Sequence, residues 1–299
     1  NGARRLMDVY QQTVEDVRVM DHNTEGSFTL GLSPLFGACF FGDLLPGFAA
    51  AYPNIHIEIV EDGANRIDEK VARGEVDLGV SLNTDRLTAA VFQLTTFDKA
   101  SGYDPNEPEG TASGFFVTRD GLAVTNYHAI EDRSAAFVTL VSGERYPVEK
   151  VVYYDAGIDI AVLRVGRTGM DGVTTPGFVW LDAAGRDTLR VGDVVYTIGS
   201  PLGLGLAVSS GIISDTSRVV ERYNAPCIMS TADISQGSSG GALLNEYGQA
   251  IGVTSGAFTF GNNMYLAVAI DPVLSADLTA EGQTLAQVRE YEANRAKDA

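Results

Sequence analysis

Apolar spacing along the chain changes character about a quarter of the way in. Up to about residue 86, helical and strand periods alternate. Leu6, Val9, Tyr10, Val14 and Val17 recur at helical spacing and predict a helix over Arg4–Met20. Phe28–Leu32 reads as a strand closed by the turn Ser33-Pro34. Phe41–Tyr52 is a helix candidate in which Pro46 favours a late start or a kink. Ile55–Val60 alternates as a strand, Asn65–Arg73 as a helix with Gly74 just past its end, and Val76–Ser81 as a further strand. Strands alternating with helices predict a partial βαβαβ unit with a parallel sheet.

From about residue 88 the strand signal dominates. Expected strands are Ala89–Phe97, Phe115–Thr118, Leu122–Thr125, Ala136–Leu140, Val148–Tyr154 and Ile160–Val165. A second series takes Asp193–Ile198, Leu206–Ser214, Cys227–Ala232, Ala242–Leu244, Ala250–Thr254 and Met264–Ile270. Asp98–Gly110 is a polar surface loop, and the Gly-rich residues 166–186 connect the two series. Short strands at such close spacing predict β-barrels. Leu285–Arg295 reads as a charged helix lying in solvent. The fold class is therefore multi-domain, α/β followed by all-β.

Composition narrows the chemistry. The 299 residues carry a net charge of −18, which argues against a phosphate-binding surface and so against nucleic acid as a partner. Cys39 and Cys227 fall in different halves, so no disulfide framework is implied. Three histidines and two cysteines, scattered, do not make an ordinary zinc cluster, and neither a metal nor a cofactor is expected. No stretch approaches 18 consecutive apolar residues, so no membrane span is expected. The chain starts at Asn1 and shows no signal-peptide pattern, which says little about compartment.

Within Thr231–Gly256, Ser239 stands between Ser238 and Gly240-Gly241, just after Gly237. A nucleophilic serine needs an exposed hydroxyl on a tight turn, with backbone N–H groups free for an oxyanion, and flanking glycines allow both. It also needs a base and a carboxylate to orient that base. His128 follows a short apolar strand, and Asp159 heads the apolar run Ile160–Val165, where a carboxylate is costly unless paired. His56, within a strand, reads as a packed or surface residue, and His22 as a solvated one. Gly237–Gly241 also fits G-x-S-x-G, but α/β-hydrolases place their histidine after the serine, and no histidine follows His128. A subtilisin order would need an aspartate before the histidine on an α/β scaffold. The order His128, Asp159, Ser239 on a strand-rich chain points to a trypsin-like double β-barrel.

Several segments carry a more specific resemblance. Thr111–Phe115, Thr125–Ala129, Asp159–Leu163, Val191–Asp193, Ile198–Gly203 and Gly237–Gly241 occur in the order of the HtrA/DegP branch of trypsin-like serine proteases, which residues 88–275 resemble. That resemblance implies His128 as general base, Asp159 as its orienting carboxylate and Ser239 as nucleophile. It also implies an oxyanion hole from the N–H groups of Gly237 and Ser239. Tyr127, Ser235-Gln236 and Ser238 depart from the residues usual at their positions. By the same resemblance Ile234 lies near the base of the specificity pocket and Leu266 and Ala267 line its wall, which favours small aliphatic side chains before the cleaved bond. Asp233, six residues before Ser239, keeps a Lys/Arg preference open.

Gly26–Gly31, Leu44–Phe48, Tyr52–Ile55 and Gly74–Val80 resemble the start of the effector-binding domain of LysR-type transcriptional regulators, with a linker helix before it. There Ser33 would stand near an effector pocket, although a strand-ending turn accounts for Ser33-Pro34 as well. The expected division is residues 1–86 as this partial domain, 87–275 as the protease domain and 276–299 as a helical tail. The leading expectation is a serine endopeptidase acting on proteins or peptides, with an oligomer compatible. The alternatives are a ligand-sensing regulator fragment joined artefactually to a protease, or an inactive peptide-binding module. The regulator-like half implies a cytoplasmic place and the protease half an extracytoplasmic one.

Overall fold

A computed structural model describes residues 26–32, 46–80, 84–105, 107–200, 206–234, 237–257 and 264–298. The expected helix Arg4–Met20, His22, the turn Ser33-Pro34, Cys39 and Ser235-Gln236 lie outside the described residues. The chain divides into two compact units, Asn1–Thr84 and Asp85–Ala299.

In the first unit β1 (Gly26–Leu32) is the central strand, flanked in parallel by β2 (Ile55–Glu61) and β3 (Leu78–Val80). Parallel neighbours need crossover connections, and helices α1 (residues 46–51) and α2 (Ala64–Ala72) stand in them. Pro46 is the first described residue of α1. Helix α2 buries Ile67 completely, and it lies close because β1 and β3 present glycines beneath it. A Cβ at Gly79 would stand 2.7 Å from a Val71 methyl and 3.0 Å from one of Ile67. His56 is exposed on β2, as a surface histidine.

The second unit holds two closed six-stranded barrels. The first runs β4 (Val91–Phe97), β5 (Gly110–Phe116), β6 (Leu122–Thr125), β9 (Ile160–Val165), β8 (Arg145–Asp155) and β7 (Ala135–Thr139). The second runs β10 (Val194–Gly199), β11 (Ala207–Arg218), β12 (Cys227–Ser230), β15 (Tyr265–Ala269), β14 (Ala250–Ala257) and β13 (Ala242–Asn245). Closure removes the sheet edges that short strands would otherwise expose.

Strands buried on both faces explain the continuous apolar runs. Along β9, Ala161 and Leu163 point into the first barrel, while Ile160 and Val162 join a separate layer. That layer also takes Phe115 and Val124 from the first barrel, and Ile198, Leu244 and Val268 from the second. Ile213, Leu243 and Ile251 fill the second barrel. The barrels thus share a buried apolar interface, and β9 is walled by it on one face and by its own barrel on the other.

Three expectations at the margins are corrected, the first being the strand expected at Phe115–Thr118, which is β5 and runs Gly110–Phe116. The strand expected from Ala89 begins at Val91, and Thr84–Ala89 is a short helix, α3. Short apolar runs do not distinguish helix from strand by period, and Leu87 packing against the shared layer settles the choice. The C-terminal helix α5 (Leu285–Asp298), which follows the short α4 (Asp271–Ser275), is not simply solvated. Leu285 and Val288 bury into the core of the first barrel. Tyr154 donates to Glu292 at 2.8 Å, and Arg289 donates to the Asp98 carbonyl at 2.8 Å and to Ser134 at 3.1 Å. Two apolar anchors among many charges give too weak a period to read.

Leu163→Ala, which empties a fully buried site, should cost about 2–5 kcal/mol of stability. Val141→Ala, at a site 63% exposed, should change it by less than about 0.5 kcal/mol. Equilibrium denaturant unfolding of both variants checks the contrast.

Candidate active site

His128 sits in a single tight helical turn, Tyr127–Ala129, directly after β6. Strand β6 pairs with β9, so the ends of the two strands bring His128 beside Asp159, the residue just before β9. The His128 backbone N–H donates to Asp159 Oδ1 at 2.9 Å. Its ring Nδ1 lies 2.8 Å from Oδ2 and 3.0 Å from Oδ1. A carboxylate facing Nδ1 places the proton there, which leaves the Nε2 lone pair as an acceptor. The imidazole is about a third exposed and the Asp159 side chain is buried.

Asp159 is held by more than its histidine. Its φ is 62°, a left-handed backbone that aspartate tolerates better than most residues. The turn before it is capped by Asp155 Oδ1, which accepts from the N–H groups of Gly157 at 2.8 Å and Ile158 at 3.2 Å. The fully buried Asn126 donates through Nδ2 to the Asp159 carbonyl at 2.9 Å. Ser255, on β14 of the other barrel, donates to Oδ2 at 2.6 Å. Burial by itself would push the Asp159 carboxyl up. The hydrogen bonds from His128 and Ser255, with the nearby imidazole, outweigh it and hold the group below the usual carboxylate range.

Ser239 lies in the turn leading into β13 and is half-buried. Ser113, on β5 of the first barrel, ties this turn down. Its N–H donates to the Ser239 carbonyl at 2.7 Å and its hydroxyl to the Gly237 carbonyl at 2.8 Å. That hydroxyl also accepts from the Ser200 N–H at 2.8 Å. The Ser113 carbonyl accepts from Thr125, three residues before His128, at 2.7 Å. The Ser239 turn and the His128 turn therefore share one anchor. Gly240, with φ 87°, passes so close to the Ser113 carbonyl and the Thr125 hydroxyl that a Cβ would collide with both. On its other side the turn is held by Thr254, whose carbonyl accepts from the Gly240 N–H at 2.7 Å and whose hydroxyl donates to the Ser238 carbonyl at 2.6 Å.

Among the described residues, no acceptor pairs with the N–H of Gly237 or of Ser239. None of their hydrogen bonds joins Ser239 Oγ to His128, and catalytic bonds of this kind are often long before a substrate closes them. The geometry offers a base with its tautomer set, a buried counter-charge and a serine on a pinned turn, which are the parts that acyl transfer needs.

The residues expected at the specificity pocket are placed differently from one another. Ile234 is half-buried, Leu266 packs into the shared layer and Ala267 into the second barrel. A cavity of about 290 Å³ beside the Ser239 turn is lined by others, among them Thr197, Ala207, Ser209, Asp233 and Ser238. Asp233 is exposed, and its carboxylate, ahead of burial, pushes the Tyr265 phenol up. Among the described residues no group of side chains is arranged to hold a metal ion. Nor is any helix among them long and apolar enough to cross a membrane.

Ser255 and Ser113 were not singled out from sequence. Each is a buried hydroxyl that needs a partner, and Ser113 also lies within the resembling segment Thr111–Phe115.

Comparison with known proteins agrees with this architecture. Residues 112–253 match the family model of the trypsin-like peptidase domain, and residues 21–93 that of the LysR substrate binding domain. The chain is 34% identical over 174 residues to a probable periplasmic serine endoprotease, DegP-like, of Rhizobium meliloti (strain 1021), covering 57% of this chain and 33% of that protein. It is 36% identical over 185 residues to a probable serine protease, do-like, of Buchnera aphidicola subsp. Acyrthosiphon pisum (strain APS), covering 60% and 37%. The chain thus spans about a third of the length of these relatives. The serine endoprotease from Yersinia pestis has a similar fold, with a TM-score of 0.52 at 24% identity over 65% of each chain. Residues 112–253 are thus similar to a trypsin-like peptidase domain, with DegP-like and do-like serine proteases among the relatives, and residues 21–93 are similar to a LysR substrate binding domain.

Proposed function

We propose that the protein is a serine endopeptidase that cleaves peptide bonds through an acyl-enzyme. The observation that carries this reading is the buried Asp159 carboxylate bridging the His128 backbone and ring nitrogens. Ser239 Oγ attacks the scissile carbonyl carbon while His128 Nε2 takes its proton. The negative charge on the carbonyl oxygen is met by the N–H groups of Gly237 and Ser239. Collapse breaks the C–N bond, and the imidazolium returns the proton to the leaving amine. Water then repeats the sequence on the ester and frees Ser239. Asp159 stays ionised throughout and offsets the positive charge that the imidazole takes up.

The preferred residue before the cleaved bond is a small aliphatic one. Ile234 supports this from beside the Ser239 turn, and the exposure of Asp233 weakens its use as a floor for Lys or Arg. The protease domain is read as residues 87–275, with 1–86 as a partial LysR-type domain and 276–299 as the tail. A relative's name places that protein in the periplasm, and an extracytoplasmic place for this one follows on our reading.

A fluorophosphonate probe should label the full chain and residues 85–299 but not Ser239→Ala. Loss of His128 (His128→Ala) should lower kcat/KM by at least about 10³-fold. If folded wild type takes up no probe, the acyl-enzyme reading falls. Peptides with Val before the scissile bond should be cleaved at least about tenfold faster than those with Lys, and the reverse order would assign the pocket to Asp233.

Acid stability gives a separate check on Asp159. Its carboxyl titrates lower in the folded protein than the unfolded value of about 3.9. The stability it contributes is present above that value and is lost as pH falls through the lower folded value. Asp159→Asn should therefore lose less stability than wild type on acidification from about pH 5 to about pH 2, measured by urea unfolding at each pH.

A further inference from the structure

The segment 219–226, between β11 and β12, lies largely at the surface. Val219 is 78% exposed, and Glu221, Arg222 and Asn224 are exposed as well. Tyr223 is the one residue of the segment that is buried, at 7% exposed, while Val220 and Ala225 are partly buried against the same core. Its hydroxyl lies 2.9 Å from Ser255 Oγ, which is itself 2.6 Å from Asp159 Oδ2.

Proton bookkeeping gives this chain a direction. An ionised carboxylate only accepts, so Ser255 spends its single hydrogen on Asp159. The Ser255 oxygen can then only accept from Tyr223, and the phenol is the donor. Burial, and the negative charge of Asp159 behind it, keep that phenol protonated. The result is a one-way series of donors from Tyr223 through Ser255 to Asp159, met from the opposite side by His128.

The same segment touches the carboxylate's backbone. The Asn224 N–H donates to the Gly157 carbonyl at 2.8 Å, in the turn that sets the left-handed geometry of Asp159. The second barrel therefore grips both the side chain and the approach turn of a residue belonging to the first. The charged and titratable groups facing Tyr223 are Asp159, Arg222, whose guanidinium lies 5.6 Å from the ring centre, and the buried thiol of Cys227 on β12.

We infer that Tyr223 is a positioning residue, which through Ser255 fixes the Asp159 carboxylate and so aims His128, letting a surface segment outside the triad set the turnover rate. This rests on the reading of His128, Asp159 and Ser239 as the catalytic group. Tyr223 touches no substrate, so its loss should act on kcat and spare KM.

The test is Tyr223→Phe in the full chain, beside Ser255→Ala and the double variant. Tyr223→Phe should lower kcat on a Val-containing peptide about three- to tenfold with KM within about twofold, and should slow fluorophosphonate labelling equally. The double variant should be no slower than Ser255→Ala, because one pathway carries both effects. The far-downfield proton resonance of His128 Nδ1–H, identified by its loss in His128→Ala, should move in Tyr223→Phe. Wild-type kcat and an unmoved resonance in a folded Tyr223→Phe would overturn the inference, as would fully multiplicative losses in the double variant. If folded wild type neither cleaves nor labels, the protease reading fails. The resonance then still decides whether Tyr223 controls the His128–Asp159 pair.

Discussion

The seam between the two barrels depends on Ser113. Neither barrel holds all three residues: His128 and Asp159 belong to the first, the Ser239 turn to the second. An apolar layer alone would let the barrels slide, because hydrophobic contact has no direction. Ser113 is fully buried in that seam, and it spends its N–H, carbonyl and hydroxyl on Ser239, Thr125, Gly237 and Ser200. Each of these bonds is directional, and breaking one would strand a buried polar group at a cost of about 1–3 kcal/mol. The seam thus has one register, and that register puts Ser239 beside the strand that presents His128.

Asp159 shows the same logic applied to charge. A lone buried carboxylate would neutralise itself by binding a proton. Here the backbone and ring of His128 and the hydroxyl of Ser255 replace the lost water, and the group stays ionised. Two of these donors come from the first barrel and one from the second, so the charge also marks where the barrels meet. The left-handed backbone at Asp159 is tolerable because Asp155 and Asn126 satisfy the turn around it.

The first unit obeys different rules. Its three parallel strands are spaced by crossover helices, and glycines on β1 and β3 let α2 lie near enough to bury Ile67. Asp77 fastens the start of β3 by accepting from the Thr29 N–H at 2.7 Å. These are local devices, legible from short stretches, which is why the order of strand and helix in this unit could be written down from periodicity.

By itself the sequence determined the strand series of both barrels, the parallel sheet before them, and the residues His128, Asp159 and Ser239 with their order. Those features leave local marks: apolar runs, glycine punctuation, and a chargeable residue at the head of an apolar strand. Tertiary structure alone decided that Ser113, Ser255 and Tyr223 join the site, that Leu285 and Val288 anchor the last helix, and that Leu87 ends a helix rather than opening a strand. Each of these depends on a partner far away in the chain, Ser113 on Gly237 and Ser255 on Asp159. A hydroxyl in an apolar strand announces that it needs a partner. Only the closing of two barrels against each other says which partner that is.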